Sequence, residues 1–344
     1  MKEKIINISY YLLLKYTKMN ELQQEIGKIL TIIEKGQNFL VMGHKSVDGD
    51  AYGSSMALYF YLKSIGKNVE VINELPITPL FHFLDIHAEV HKTIEGKQFD
   101  AIFVCDCGEL SLVGKYPEMY TDIFQTTPIV NIDHHNGNKM FGTYNLVDTK
   151  SSSTCELVYD LMEKNENKIT VQVATLLLFG IIRDTNCFKN SIRPHTFEVT
   201  SKLIALQAEY EKIIFYSYKS EKLNYLQLYG YVLENLISLK GGKIVGGIIT
   251  QEVFERYNIK ETELGPQLIN EVLSSLDGAD FAFLIKETDS GDIKLSFRAR
   301  RDGFDVSRIA RYFGGGGHIQ SGGAYTDKSV EEILKVIEEI DVKM

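Results

Sequence analysis

Residues Pro128–Asn138 read PIVNIDHHNGN, a stretch that opens as a buried strand and ends in a carboxylate and two adjacent histidines. Ile129, Val130 and Ile132 make it nearly continuous in apolar residues, as expected of a strand covered on both faces. Asp133, His134 and His135 follow, and alternation along an extended chain sends the two imidazoles in different directions. Working outward, two more apolar runs end in the same manner. FLVMG (39–43) runs into His44, Asp48 and Asp50, and AIFVC (101–105) runs into Asp106. NVEVIN (68–73) is a further strand, and helical patterns fill 52–67, 152–165 and 171–185, with another after Pro194. Strands alternating with helices predict an α/β fold, here a doubly wound, mainly parallel sheet. In such a sheet the carboxyl ends of the strands form one edge, and ligands bind in the crevice there. A fourth segment, GIIRDTNCF (180–188), adds Asp184 at the end of an apolar helix.

Taken singly, each acid reads as a turn or cap residue, Asp50 at the start of its helix among them. Gathered in one crevice they would repel, and a cation must hold them. Histidine with aspartate suits a borderline divalent ion such as Mn²⁺, with Mg²⁺ as the alternative. Asp48, Asp50, Asp106 and Asp184 carry four negative charges between them, which two divalent ions would balance. Two such ions, roughly 3.5–4 Å apart, can share a hydroxide and stabilise the attacking and leaving oxygens at phosphorus. Gly49 reads as the turn that lets Asp48 and Asp50 reach different ions.

A chain of 344 residues is long for one core, which predicts two domains. Composition is that of a soluble globular protein, 44% hydrophobic and 24% charged. The net charge of −9 (37 − 46) argues against gripping long duplexes by phosphate neutralisation, while leaving room for a short anionic substrate in a local basic pocket. The four cysteines form no CxxC, those of CDC (105–107) read as small residues filling a strand end, and a reduced cytoplasmic setting is expected. Residues 1–18 read as an N-terminal extension, too short to span a membrane and without a cleavage-like end. Met19 opens an amphipathic helix with Leu22, Ile26, Ile29, Leu30 and Ile33 on one face, so that either Met19 is the natural start or residues 1–18 form a loosely attached arm.

The first domain is expected over 19–208, followed by a tyrosine-rich helical connector over 209–231, whose tyrosines read as helix packing. Hairpins around Gly241-Gly242 and Ser290-Gly291 then predict a smaller α+β domain over 232–344. Within it Arg298, Arg300, Arg301, Arg308 and Arg311 face only Asp302 and Asp305, a local basic patch suited to phosphate. Gly314, Gly315, Gly316 and Gly317 would let backbone N–H groups approach an anion, with His318 alongside. His87 and His91, four apart, have the spacing of a zinc clip but no further ligand nearby, so a structural or solvent-facing role is expected.

The motifs GHKSVDGDAYGS (43–54), VCDCG (104–108), NIDHHNGN (131–138) and GIIRDTNCF (180–188) resemble, in order and spacing, those of the DHH phosphoesterases. RIARYFGGGGHIQSGGA (308–324) resembles the signature of the DHH-associated domain, so that the likeness covers residues 20–344. Two departures are mild: Val47 stands where the family often has proline, and Asn186 where glycine is common. The resemblance implies that His44, Asp48 and Asp106 hold one metal, and that Asp50, Asp106, His134 and Asp184 hold the other. It further implies that Asp133 orients a histidine ligand, and that His135 faces the scissile phosphate, where it can polarise an oxygen or protonate a leaving group. Arg298 and the Gly314–His318 loop would hold the terminal phosphate or base, in a cleft between the two domains.

Length and the short connection are similar to the branch of bacterial oligoribonucleases, the nanoRNases, that also dephosphorylate 3′-phosphoadenosine 5′-phosphate (pAp). That branch implies a manganese-dependent hydrolase taking single-stranded RNA of a few nucleotides to mononucleotides, and pAp to AMP and phosphate. Membranes and long duplexes are not expected partners, and a homodimer is open. Hydrolysis of linear dinucleotides from cyclic-dinucleotide turnover is a close variant. A non-catalytic nucleotide sensor is the reading from a different class, which the presence of every ligand position disfavours.

Overall fold

The computed structural model describes residues 20–76, 79–86, 90–95, 98–301 and 303–343, apart from the side chains of 165–167 and 318. The expectations for residues 1–18, for Met19 and for His87 therefore lie outside the described residues. His91 lies on a strand rather than on a helix, with Nδ1 3.6 Å from Glu95. The chain divides after Lys219 into two compact units.

In the first unit six strands form a sheet: β1 (Asn38–Met42), β2 (Asn68–Ile72), β3 (Val90–His91), β4 (Ala101–Cys105), β5 (Ile129–Asp133) and β6 (Tyr144–Val147). Their spatial order is β3-β2-β1-β4-β5-β6, and every pairing is parallel. The strands are apolar on both faces for a geometric reason. Phe39, Val41, Phe103, Cys105, Val130 and Ile132 enter one core. Leu40, Met42, Ile102, Val104 and Ile129, their neighbours in sequence, enter the core on the opposite face.

Helix α1 (20–35) buries Ile26, Ile29 and Ile33, the face marked out by its periodicity. Next come α2 (Gly49–Ser64), the short α3 (Tyr116–Met119) and α4 (Thr121–Thr126), α5 (Thr154–Met162), α6 (Val171–Asp184), α7 (Pro194–Ala205) and α8 (Tyr210–Tyr218). α2 is buried nearly all round, with 13 of its 16 residues inaccessible, because α6 and α5 cover the side that the sheet leaves. A Cβ at Gly53 would stand 2.6 Å from the Leu176 carbonyl oxygen, and one at Gly180 would run into Cys155 Sγ. The missing side chains let α2 and α6 approach closely, and that approach fixes where their ends lie.

The second unit begins with α9 (Leu223–Glu234), followed by β7 (Ile237–Leu239), β8 (Ile244–Ile249), α10 (Gln251–Arg256), β9 (Phe281–Glu287) and β10 (Ile293–Ala299). α11 (Ser307–Tyr312), β11 (Gly316–His318), β12 (Ser321–Thr326) and α12 (Val330–Glu339) complete it. Its mixed sheet has the order β11-β12-β10-β9-β8-β7, with hairpins at both places that the glycines predicted. One face packs on α9 and α10 and the other on α11 and α12. Of the tyrosines over 209–231, Tyr225 and Tyr229 are buried in the second unit's core, while Tyr216 stacks on Phe83 in the first. No helix among the described residues is long and apolar enough to cross a membrane.

Candidate active site

β1 and β4 are neighbours at the point where the strand order reverses, the place where a doubly wound sheet opens a crevice at its carboxyl edge. His44 and Asp48 follow β1, Asp106 follows β4, and Asp133–His135 end β5. The structure thus brings together His44, Asp48, Asp50, Asp106, His134, His135 and Asp184.

Asp48 caps α2, its Oδ1 accepting the N–H groups of Asp50 and Ala51 at 3.0 Å each. The cap is therefore Asp48, not Asp50 as the bare sequence suggested. Asp50 is buried (1% exposed), and its two oxygens accept the N–H groups of Thr154 (2.6 Å) and Cys155 (3.0 Å) in the first turn of α5. Those N–H groups have no partner within their own helix, and the dipole there favours an anion. Gly49 also differs from expectation. It is not among the glycines with positive φ, and the position needs glycine because a Cβ would collide with the Arg183 side chain at the end of α6.

Asp106 is held in the left-handed region, φ 59°, unusual for a residue other than glycine. Its N–H still donates to the Ile132 carbonyl, 2.9 Å, and the chain then turns the carboxylate into the crevice. There Thr154 Oγ1 donates to Asp106 Oδ1 at 2.9 Å. His134 Nδ1 lies 3.3 Å from the Ser151 carbonyl, which takes a proton on Nδ1 and turns Nε2 towards the acids. That Nε2 stands 3.7 Å from Asp50, 3.6 Å from Asp106 and 3.6 Å from Asp184. On the other side His44 Nε2 stands 3.7 Å from Asp48 and 3.8 Å from Asp106. These separations are too long for hydrogen bonds. They suit ligand atoms that each lie about 2.1 Å from a shared ion, which are then roughly 3–4 Å apart.

Two donor groups result, His44–Asp48–Asp106 and Asp50–His134–Asp184, with Asp106 also grouped with His134 and His135. Their electrostatics agree with a cation site. Burial, then the charges of Asp50, Asp48 and Asp184, push Asp106 well above the usual carboxylate range. Burial, then Asp50 and Asp48, do the same to Asp184. Such repulsion among oxygens fixed by N–H and O–H donors is what divalent cations relieve, and the mixed nitrogen and oxygen donors fit ions of borderline hardness.

Asp133 departs from its expected role. Its Oδ1 accepts from His135 Nδ1 at 2.7 Å and from the His134 backbone N–H at 2.8 Å, and Asn138 Nδ2 donates to its Oδ2. The imidazole it orients is His135; Ser151 performs that service for His134. Burial disfavours a charged His135, but the bond and charge of Asp133 outweigh it and raise the pKa. Thr154 and Ser151 escaped the sequence reading, because SSST (151–154) reads only as a helix start. Asn138 lay inside a motif without an assigned role.

In the second unit the basic patch is mostly neutralised. Arg300 pairs with Asp277 (3.2 Å), Arg301 with Asp280 (3.6 Å) and Arg311 with Asp305 (3.2 Å), and Arg308 donates to the Lys343 carbonyl. Arg298 differs: Nε donates to Asn270 Oδ1 at 2.7 Å and Nη1 to the Phe297 carbonyl at 2.8 Å, and no carboxylate pairs with it among the described residues. The glycine run is less open than expected. Gly314 (φ 76°) ends α11, and a Cβ at Gly315 or Gly317 would strike the backbone of β12. Gly316–His318 form an edge strand, and the register puts His318 opposite Ser321, which is itself opposite Arg298.

Residues 38–181 match the family described as DHH family, N-terminal domain, and residues 247–341 match the DHHA1 domain. The chain belongs to the DHH family. It is similar to the bifunctional oligoribonuclease and PAP phosphatase NrnA of Thermus thermophilus, 28% identical over 308 residues that cover 86% of this chain and 88% of the relative. NrnA of Bacillus subtilis is 27% identical over 323 residues, covering 90% of this chain and 97% of that one. The crystal structure of an exopolyphosphatase-related protein from Bacteroides fragilis superposes with a TM-score of 0.84 at 25% identity, covering 92% of this chain and 95% of that one. The first unit is thus a DHH unit and the second a DHHA1 unit of a phosphoesterase.

Proposed function

We propose that this DHH phosphoesterase hydrolyses short oligoribonucleotides to mononucleotides and pAp to AMP and phosphate, with Mn²⁺ as its metal. The observation that carries the proposal is two neighbouring donor groups, one containing Asp106 and the other His134, whose Nε2 stands 3.6 Å from Asp106, an arrangement suited to displacement at phosphorus. Its likeness to two NrnA enzymes along most of both chains supports the choice of substrate. Two divalent ions, when bound, would supply Lewis-acid stabilisation of the phosphate oxygens and lower the pKa of water. His44, Asp48 and Asp106 would hold one; Asp50, His134 and Asp184 the other, with Asp106, 3.6 Å from His134, placed to join them.

The chain's own residues do the rest. Ser151 and Thr154 keep the His134 imidazole and the Asp106 carboxylate aimed at the same point. His135, held by Asp133, whose bond and charge raise its pKa, is the group placed to hand a proton to a leaving oxygen. Arg298, with the Gly314–His318 edge, takes the phosphate that is not cleaved.

The test is a length series of 5′-phosphorylated RNA from two to about twenty-four nucleotides, together with pAp, in Mn²⁺. Fast cleavage of the shortest members, fading with length, and release of phosphate from pAp are expected. Equal or faster cleavage of the longest would overturn the substrate assignment. Hydrolysis of dinucleotides alone would favour the linear-dinucleotide variant. Protein that binds no Mn²⁺ and cleaves nothing would favour a sensor.

A further inference from the structure

Arginines crowd the end of β10 and the segment after it, and they are held in two ways. Arg300, Arg301 and Arg311 carry their counter-charge with them, each on an aspartate. Arg298, half-buried opposite Ala282 and Ser321, is held by two neutral acceptors, the Asn270 side-chain carbonyl and the Phe297 backbone. Burial lowers its pKa, and no acidic neighbour among the described residues draws it back up. A guanidinium has five N–H groups. The two contacts leave both N–H groups of Nη2 and one of Nη1, the edge that meets a phosphate through two parallel bonds.

Asn270 sits in a π-helical turn, Leu268–Val272. Buried Leu268, Ile269 and Leu273 anchor that turn in the core. The Asn270 N–H donates to the Pro266 carbonyl at 2.9 Å, and its own carbonyl accepts from Ser274 Oγ at 2.5 Å. π-turns recur at functional sites. An aspartate would have the same shape and bind Nε more strongly, but it would cancel the charge.

We infer that Asn270 is a positioning residue for substrate, aiming Arg298 through an uncharged hydrogen bond and so keeping a whole positive charge for an incoming phosphate. The inference rests on the assignment of Arg298 to the substrate made under Proposed function. It predicts an unusual order of effects. Asn270→Asp, nearly isosteric, is the gentler change for the fold and the harsher one for substrate binding; Asn270→Ala is the reverse.

The experiment measures KM and kcat for pAp and for 5′-phosphorylated ApA in Mn²⁺, with thermal unfolding, on wild type, Arg298→Ala, Asn270→Asp and Asn270→Ala. Arg298→Ala should raise KM at least about tenfold, as loss of bonds to a charged group does. Asn270→Asp should raise KM about tenfold, with kcat within about twofold and Tm no lower than wild type. Asn270→Ala should raise KM less and lower Tm more. An unchanged KM in Arg298→Ala would remove Arg298 from the substrate site. A raised KM there with a wild-type KM in Asn270→Asp would overturn the role of Asn270 alone. So would a KM that rises only in step with loss of Tm, since a purely structural contact behaves that way.

Discussion

Asp106 in the DHH unit and Arg298 in the DHHA1 unit are both charges left incomplete by the protein, and they are left so by opposite means. Asp106 is surrounded by its own kind, with Asp48, Asp50 and Asp184 close enough to push its pKa well above the usual range. Arg298 is held by neutral acceptors and pairs with no carboxylate among the described residues, while Asp277, Asp280 and Asp305 are taken by other arginines. On the reading proposed above, crowding makes the cation site and a neutral clamp makes the anion site. Crowded acids hold one another off until an ion arrives. A single arginine beside an aspartate would already be satisfied.

The largest expected effect breaks the crowded side. Asp106→Asn removes the carboxylate that lies within 3.8 Å of both His44 and His134, and should cost activity well over the ~100-fold typical of residues that only orient a ligand. Because it also removes a repelled buried charge, the metal-free variant should melt no earlier than wild type, which calorimetry in chelator would check. A marked fall in Tm would mean that Asp106 is stabilising and that the crowding argument is wrong.

Arg298→Ala breaks the other side, and should raise KM by about 10- to 100-fold with kcat changed little. A loss confined to kcat would place Arg298 among the reacting groups instead. Thr154→Val then sharpens the comparison. It keeps the shape of a side chain whose hydroxyl donates to Asp106, and should lower Mn²⁺ affinity by about tenfold, read by metal titration.

The smallest effect comes from a pair already complete. His195 Nε2 lies 2.8 Å from Asp160 and Nδ1 3.2 Å from Glu198, and the bond to Asp160 raises its pKa from 6.5 to about 9. Its folded-state pKa exceeds the unfolded value. The stabilisation is therefore complete below about pH 6.5 and is lost as pH rises through about 9. Burial raises Asp160's own pKa, so the net gain is smaller than the histidine's shift alone implies. His195→Gln should flatten the stability profile between those values, seen as Tm against pH, while leaving metal affinity alone. A parallel loss of metal binding would show that this corner of α5 and α7 is coupled to the site.

Much of the DHH unit was legible because its chemistry is local. An apolar run followed by an acid or histidine gives both a strand and a ligand, and the parallel sheet gathers those ends without help from the loops. What stayed hidden is held at a distance in sequence. Asp50 read as a cap because its partners, the N–H groups of Thr154 and Cys155, lie about a hundred residues on. Gly49 read as a turn because Arg183, which fills the space beside it, belongs to another helix. The basic patch read as a field of five arginines because Asp277 and Asp280 lie a whole hairpin, β9 and β10, before the arginines they pair with. Asn270 carries no signal at all until its oxygen is seen against Arg298.

The close approach of α2 and α6 through Gly53 and Gly180 has a consequence for how the molecule is made. Asp184 is the last residue of α6, so a chain emerging during synthesis has His44, Asp48, Asp50, Asp106 and His134 well before the second donor group can close. Ligands drawn from paired segments so far apart come together late, once the long-range strand pairings exist. A divalent ion bound as proposed would then act as a latch on a finished domain rather than a template for folding. By mass action it deepens the native well without steering the chain towards it.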